Sequence, residues 1–214
     1  AAADTPVGPE EAAELAHLLE VEELKVAGGK QDQYAAALGG FLYLEFDDPA
    51  VSVTRLPVDP SFVQALLERF VLCYTGTSRI SGDTIARVMS RFEKGDQQIV
   101  SALDELRDAA AAAREAMMAG DIEALAEVIS RNWSHQRALD AAMATPEMDR
   151  VEAEASAAGA IGCKACGAGA GGCMVFITAS GAIDEVRRAI ESAGAEILPF
   201  EFDSEGVRSE SSAP

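Results

Sequence analysis

Residues 163–177 read CKACGAGAGGCMVFI, a glycine-rich turn that runs directly into an apolar strand. None of the six central positions carries a side chain larger than a methyl group: Gly167, Ala168, Gly169, Ala170, Gly171 and Gly172. The backbone N–H groups of such a run stay uncovered, so the loop can surround an anion or lie close against a substrate. The sequence therefore predicts a ligand-facing turn in front of a buried strand.

Three other kinds of site use similar residues. A P-loop is excluded because no Gly-Lys-Ser/Thr follows the glycines. A dinucleotide fingerprint is disfavoured because the glycines precede a strand instead of joining a strand to a helix. Cys163, Cys166 and Cys173 have the spacing of a zinc or redox group, but a structural zinc site takes four ligands, and no second pair or nearby histidine is present. We expect reduced thiols, with Cys166 and Cys173 as small buried residues beside the loop.

The elements around this turn follow from apolar periodicity and from breaks in it. We predict a short helix at 60–69, a buried strand at 70–76, and a long helical region at about 80–157 with breaks near Gly95, Gly120 and Pro146. A helix at about 184–192 and a final strand, EILPFEF, follow the glycine turn. Toward the N-terminus the pattern predicts a helix that begins near Pro9, a two-turn helix in KQDQYAAAL, and a hairpin formed by FLYLEF and VSVTRLPV.

Strands separated irregularly by helices and hairpins indicate an α+β fold, a two-layer antiparallel sheet with helices. We place domain boundaries so that residues 1–69 form one part, residues 70–203 form a second domain, and residues 204–214 form a loose polar tail.

A second informative segment is GGKQDQYAAALGG at residues 28–40. The glycine pair lets the backbone bend and approach a ligand. Asp32 then lies at the start of a helix, whose N–H groups favour a carboxylate, and Lys30 adds positive potential. Taken alone, the pattern is also compatible with Asp32 as a helix cap and Lys30 as a solvated surface charge.

Both segments resemble the galactokinase, homoserine kinase, mevalonate kinase and phosphomevalonate kinase (GHMP) superfamily. The glycine turn is similar to the family's third motif, K-x-[CST]-G-A-G-G-G-G-[CF], with Ala170 where glycine is frequent. GGKQDQYAAALGG resembles the catalytic-aspartate segment of sugar-phosphate kinases in the family. The resemblance implies a GHMP C-terminal domain preceded by the end of the N-terminal domain. It also implies that Asp32 and Lys30 are catalytic, with Gly29, Gln31 and Tyr34 close to the substrate.

Two further groups of residues are candidates. Thr77, Ser78 and Arg79 follow the buried strand and resemble the sugar-kinase branch; Arg79 suits a substrate phosphate, although a simple turn fits them equally. On the helices, Trp133 is expected to be a core anchor. His135 is a candidate to face the acceptor, although a lone histidine on a helix is more often structural, and we expect His17 at the surface.

Composition limits the class of function. Acidic residues outnumber basic ones by 36 to 17, for a net charge of −19, and such a surface repels nucleic acid and anionic lipid. No apolar run is long enough to cross a bilayer, and the first residues lack the order of a signal peptide. We expect a cytoplasmic protein.

The resemblance implies phosphoryl transfer from ATP to a hydroxyl of a sugar or sugar phosphate, with Mg²⁺ as the metal ion. It also implies heptose 7-phosphate as the first acceptor to test. Family members hold the nucleotide phosphates with a motif of the form P-x-x-x-G-L-G-S-S-A, which residues 1–27 do not contain. Because the chain also lacks an initiator Met, we expect a companion segment or chain that supplies this loop. The alternative is a non-catalytic module, derived from such a kinase, that binds a sugar or a partner protein.

Overall fold

The computed structural model describes residues 7–25, 28–47, 49–76 and 82–208. The chain forms two compact units, one of residues 1–57 with 201–214 and the other of residues 58–200. The sequence predicts a boundary near residue 69, but the helix before that point belongs to the second unit. Its Phe62 is buried, and it lies beside Gly120 of the same unit.

The first unit contains two helices and a hairpin. Its elements are α1 (Pro9–Leu18), extended by one π-helical turn (Leu19–Glu23), α2 (Gln31–Leu38), β1 (Leu42–Asp47) and β2 (Ala50–Arg55). Pro9 occupies the first turn of α1, where its missing N–H costs nothing. Gly39, with φ of 62°, ends α2. The predicted helices and antiparallel hairpin are present, with Leu44 opposite Val53.

A small core holds this unit together. Ala13 of α1 and Tyr34 and Ala37 of α2 are buried, and half-buried side chains of the hairpin pack against them. The ring of Tyr34 meets Phe46 edge-on, with centroids 6.5 Å apart. The helix that carries Asp32 is therefore fixed on one side by α1 and on another by the hairpin.

Residues 201–208, here called the C-terminal strap, pack against the C-terminal end of α2. The Val207 N–H donates to the Ala37 carbonyl at 3.0 Å, and the Gly40 N–H donates to the Asp203 carbonyl at 2.7 Å. A side chain at Gly206, where φ is 75°, would overlap the Ala37 carbonyl oxygen. The described part of the predicted loose tail, residues 204–208, is thus packed rather than loose.

The second unit is a helical layer on a four-stranded sheet. Its elements are α3 (Pro60–Leu67), β3 (Phe70–Tyr74), α4 (Gly82–Glu93), α5 (Gln97–Ala119), α6 (Ile122–Leu139), a 3₁₀ turn (Ala141–Met143), α7 (Pro146–Ala157), β4 (Ala160–Ala165), β5 (Cys173–Thr178), α8 (Ile183–Ser192) and β6 (Glu196–Leu198). The strand order is β4-β5-β3-β6, and every neighbouring pair is antiparallel. The predicted two-layer α+β architecture is confirmed.

One face of this sheet is buried beneath α6, α7 and α8. Its side chains alternate along the strands, as the period of two requires: Val71, Cys73, Cys163, Ala165, Met174 and Phe176. Trp133 of α6 is 2% exposed and packs into the same core, as predicted. None of the helices in the described ranges has both the length and the apolar character needed to span a bilayer.

Candidate active site

Asp32 lies in the first turn of α2, and its side chain is exposed. It borders a groove of about 500 Å³ that is lined mainly by alanine methyl groups of α1 and α2 and by Val207 of the C-terminal strap. The N-terminal turn of a helix stabilises a carboxylate. Asp32 therefore presents a charged oxygen to an open, largely apolar groove.

Lys30 and Tyr34, on either side of Asp32 in sequence, both bond to Glu14 of α1. The Lys30 ammonium lies 3.0 Å from one Glu14 oxygen, and the Tyr34 hydroxyl donates to the other at 2.6 Å. The sequence predicts that Lys30 adds positive potential at Asp32, but this charge is paired with Glu14. Tyr34, a predicted substrate contact, is only 5% exposed. Both residues therefore join α2 to α1.

These contacts fix the charge states of the group. The hydrogen bond from Tyr34, and then that from Lys30, lowers the pKa of Glu14 below its ordinary value. Burial and the bond to Glu14 raise the pKa of Tyr34 to about 12. At neutral pH, Glu14 is a carboxylate and Tyr34 a protonated phenol, so the hydrogen bond between them is charge-assisted.

Gly29, Lys30 and Gln31 line a separate pocket of about 380 Å³, which is also lined by His17 and by hairpin residues around Phe46. His17 is half-buried instead of lying at the surface as predicted. Its Nδ1 atom is buried and finds no hydrogen-bond partner among the described residues. The predicted residues of this segment thus divide between the Asp32 groove, this pocket, and the contact with α1.

The glycine turn joins β4 to β5 in the second unit. Its backbone takes positive φ at five positions: Gly167, Gly169, Ala170, Gly171 and Gly172. Ala170, which stands where the family motif frequently has glycine, is buried. Its φ of 64° lies in the left-handed region, which glycine adopts most easily. Asp32 lies in the first unit, and its predicted convergence with this turn on one ligand stays a prediction.

Three anchors hold the turn in place. The Gln136 amide donates to the Gly167 carbonyl at 2.8 Å, and the Thr75 hydroxyl donates to the Gly172 carbonyl at 2.8 Å. Between these ends, the Ala170 N–H donates to the Met143 carbonyl at 2.7 Å. The sequence did not predict that Gln136 or Thr75 contacts the glycine turn, because nothing local to them signals a contact 31 or 97 residues away.

The Met143 anchor is itself supported by an ion pair. Asp140 caps the 3₁₀ turn that ends at Met143, accepting from the Ala142 N–H at 2.8 Å. Arg87 donates two hydrogen bonds to the Asp140 carboxylate, at 2.9 and 3.0 Å. These bonds, chiefly those from Arg87, lower the pKa of Asp140 to about 2. A fixed carboxylate thus holds the segment on which the glycine turn rests.

The remaining candidates are the residues after β3, the histidine on α6, and the cysteines beside the glycine turn. Thr77, Ser78 and Arg79 lie outside the described residues. His135 lies 3.7 Å from Glu105 on the helical layer. Cys173 is half-buried, but Cys166 is exposed, contrary to the prediction that both are buried.

Comparison with known proteins identifies the neighbours of this chain. Residues 112–196 match the family model described as GHMP kinases C terminal. The D-glycero-alpha-D-manno-heptose 7-phosphate kinase of Campylobacter jejuni is 31% identical over 205 residues, which are 95% of this chain and 60% of that protein. A mevalonate kinase of Pyrococcus abyssi is 30% identical over 217 residues, 97% of this chain and 59% of the relative.

The solved structures agree with these relatives. A D-glycero-D-manno-heptose 1-phosphate kinase from Bacteroides thetaiotaomicron has a TM-score of 0.71 at 27% identity, covering 94% of this chain and 55% of that one. Mevalonate kinase from L. major has a TM-score of 0.68 at 21% identity and shares the fold. The chain spans about three fifths of the length of the curated relatives it matches.

Proposed function

We propose that this chain, which belongs to the GHMP kinase superfamily, supplies the acceptor side of an ATP-dependent kinase that phosphorylates a hydroxyl of a sugar or sugar phosphate. The observation that carries the proposal is the exposed Asp32 carboxylate at the start of α2. The relatives support phosphoryl transfer to an alcohol, because they are kinases for heptose phosphates and for mevalonate.

Asp32 is the proposed acceptor of the hydroxyl proton. An ionised carboxylate is a weak base toward an alcohol, so it orients the hydroxyl first and takes the proton late. Late transfer is compatible with the loose transition state of phosphoryl transfer, in which the bond to the leaving group is largely broken before the new bond forms. Asp32 is the charged side chain among the described residues that line the groove.

The glycine turn of the second unit is a proposed phosphate-binding element. Its anchored backbone has no side chain larger than a methyl group between Gly167 and Gly172, so a phosphate can approach closely. ATP with Mg²⁺ would supply the γ-phosphoryl group and neutralise its charge. The described residues contain no cluster of three or more carboxylate, histidine or cysteine ligands. At such a site, Mg²⁺ would be held mostly by nucleotide oxygens, with one or two carboxylates.

The complete enzyme is proposed to include a companion segment. No part of the 214 residues matches P-x-x-x-G-L-G-S-S-A, and the curated relatives are longer than this chain. We assign the nucleotide phosphate loop to that segment, in the same polypeptide or in a second one.

A heptose 7-phosphate is the proposed acceptor, since the Campylobacter jejuni relative is a kinase for that sugar phosphate. Gly29 and Gln31 are further proposed contacts of the acceptor, and they line the pocket that is separate from the Asp32 groove. Thr77, Ser78 and Arg79 are proposed further contacts, with Arg79 on the substrate phosphate.

The test is Asp32→Asn in the complete enzyme, assayed with heptose phosphates, free sugars and mevalonate. Asn keeps the size of the side chain but cannot take a proton, so we expect kcat to fall by about 10²–10⁴-fold with ATP affinity unchanged. Asp47→Asn is the matched control, because Asp47 is an exposed aspartate of the same unit at the end of β1. Activity of Asp32→Asn within about threefold of the natural enzyme would refute the role of Asp32.

The same assay separates the alternative of a non-catalytic module, derived from such a kinase, that binds a sugar or a partner protein. A binding module retains sugar affinity, measured by calorimetry, but shows no sugar-dependent ATP turnover in the complete protein. Turnover that depends on the sugar excludes this alternative.

A further inference from the structure

Glu14 of α1 forms a three-residue lock with α2. One carboxylate receives the Tyr34 hydroxyl at 2.6 Å and the Lys30 ammonium at 3.0 and 3.1 Å. Lys30 is the cap residue of α2, and Tyr34 lies one turn further along the same face. The lock therefore spans the first turn of the helix, and Asp32 lies within the span.

The lock sets the rotation of α2 about its own axis. Side chains two positions apart on a helix diverge by about 200°, so Asp32 projects away from the face that Lys30 and Tyr34 hold. The buried core holds α2 against α1 and the hairpin, and two polar contacts one turn apart, both to one carboxylate, restrict its rotation further. Tyr34 is also held at its ring by Phe46. A further hydrogen bond runs from the Gln33 amide to Glu20, which lies in the π-helical turn that extends α1.

The chemistry of the lock requires a carboxylate. Glu14 only accepts hydrogen bonds, whereas Lys30 only donates them, and the Tyr34 phenol donates here. A glutamine of the same size offers one acceptor oxygen in place of two and removes the charge that pairs with Lys30. Because burial and Glu14 together raise the pKa of Tyr34, the state of the lock can be read from that pKa.

We propose that Glu14 is a positioning residue that orients Asp32 through Lys30 and Tyr34, and that Lys30 and Tyr34 serve this lock instead of contacting the substrate. The proposal rests on the proposed function, in which Asp32 meets the acceptor hydroxyl. It reassigns two residues that the sequence places in catalysis and substrate binding.

The experiment compares Glu14→Gln and Tyr34→Phe in the complete enzyme, with Glu11→Gln as the matched control. Glu11 is an exposed glutamate of the same helix, so its substitution makes the same change of charge. We expect Glu14→Gln and Tyr34→Phe each to lower kcat by about 10–100-fold with the KM for ATP within twofold, because a misplacement of about 1 Å at a reacting group costs this much. Glu11→Gln keeps full activity.

Two further readouts separate positioning from simple stability. In tyrosine-labelled protein followed by NMR, the pKa of Tyr34 should fall from about 12 toward its ordinary 10.0 in Glu14→Gln. The double variant should lose less than the product of the single losses, since both act on one lock. A lowered kcat with an unchanged melting temperature in Glu14→Gln and Tyr34→Phe supports a role in positioning Asp32. A kcat loss matched by a loss of folded protein overturns the proposal, because Glu14 is then a stability residue.

These variants distinguish a failure of the positioning role of Glu14 from a failure of the proposed function. If Asp32→Asn is inactive but Glu14→Gln and Tyr34→Phe keep kcat within twofold, the lock has no role in positioning and the proposed function stands. If Asp32→Asn is fully active, the proposed function fails, and the inference fails with it because no reacting group is left to position.

Discussion

Substitutions in the glycine turn should differ sharply in cost, although they are chemically alike. At Gly169, φ is 79°, and a methyl group would lie 2.5 Å from the Met143 carbonyl oxygen. At Gly167, φ is 65° and the methyl group would meet open space. Ala170 already has a methyl group at φ of 64°. Gly169→Ala, Gly167→Ala and Ala170→Gly therefore separate backbone conformation from steric contact.

The expected costs follow from these geometries. Placing an alanine in the left-handed region costs about 1–2 kcal/mol, and the stiffer unfolded chain returns about 0.4–1 kcal/mol. Gly167→Ala should thus destabilise by about 1 kcal/mol. Gly169→Ala adds a displacement of about 1 Å to reach an ordinary contact, which costs about 1–3 kcal/mol in a packed site. We expect about 2–4 kcal/mol in total.

Ala170→Gly tests the opposite direction. It relieves the left-handed strain but loses a buried methyl group worth about 0.8 kcal/mol and makes the unfolded chain more flexible. These terms nearly cancel, so the change should lie within about 1 kcal/mol of zero.

Urea unfolding followed by the fluorescence of Trp133 measures all three. Trp133 is the single tryptophan of the chain and is 2% exposed in the core of the same unit. Equal destabilisation by Gly169→Ala and Gly167→Ala would refute the reasoning, because it would mean that the turn is not held against Met143. A loss above 2 kcal/mol in Ala170→Gly would contradict the assigned conformation of that residue.

Two further predictions concern acid stability and the C-terminal strap. The pKa of Asp140 is lowered to about 2 from 3.8. The ionised Asp140 therefore stabilises the fold fully above pH about 4, and this stabilisation is lost as the pH falls toward 2. We expect it to amount to about 1–2 kcal/mol, because the Arg87 guanidinium that pairs with Asp140 is half exposed. Urea midpoints at pH 7 and 2.5 should therefore differ less in Asp140→Asn, and equal acid losses in both proteins would contradict this. Gly206→Ala should displace the strap from the Ala37 carbonyl and speed amide exchange at the end of α2 by about 10–100-fold. Gly181→Ala, at φ of 78° with open space around it, should leave exchange in α2 unchanged.

Most elements were predictable because their signals are local. Pro9, Gly39 and Pro146 begin or end helices through backbone chemistry that operates within one turn, and the hairpin follows from alternating side chains. Strand β4 was not predicted: its Gly162 and Lys164 are poor strand formers, and the segment reads as part of the glycine turn. It is a strand because β5 pairs with it and because Gly162 lets α6 approach closely, where a side chain would overlap the Ala126 backbone. Both reasons are tertiary, and neither leaves a mark in the local pattern.

The candidate site shows the same limit at the level of single residues. Asp32 and the glycine turn are found by pattern because each carries its chemistry in consecutive residues. Glu14 could not be found by pattern, because its role depends on contacts with Lys30 and Tyr34, which lie 16 and 20 positions later. A glutamate on an acidic helix has no distinguishing neighbours in sequence. The contact with Glu14 also changes the interpretation of Lys30. An ammonium two residues from an aspartate predicts electrostatic stabilisation of that aspartate, but an ammonium paired with Glu14 instead links α2 to α1. The charge on Lys30 can be read from the sequence, whereas the carboxylate that it neutralises is decided by how α1 packs on α2. A motif therefore identifies the reacting group more reliably than it identifies the groups that aim it.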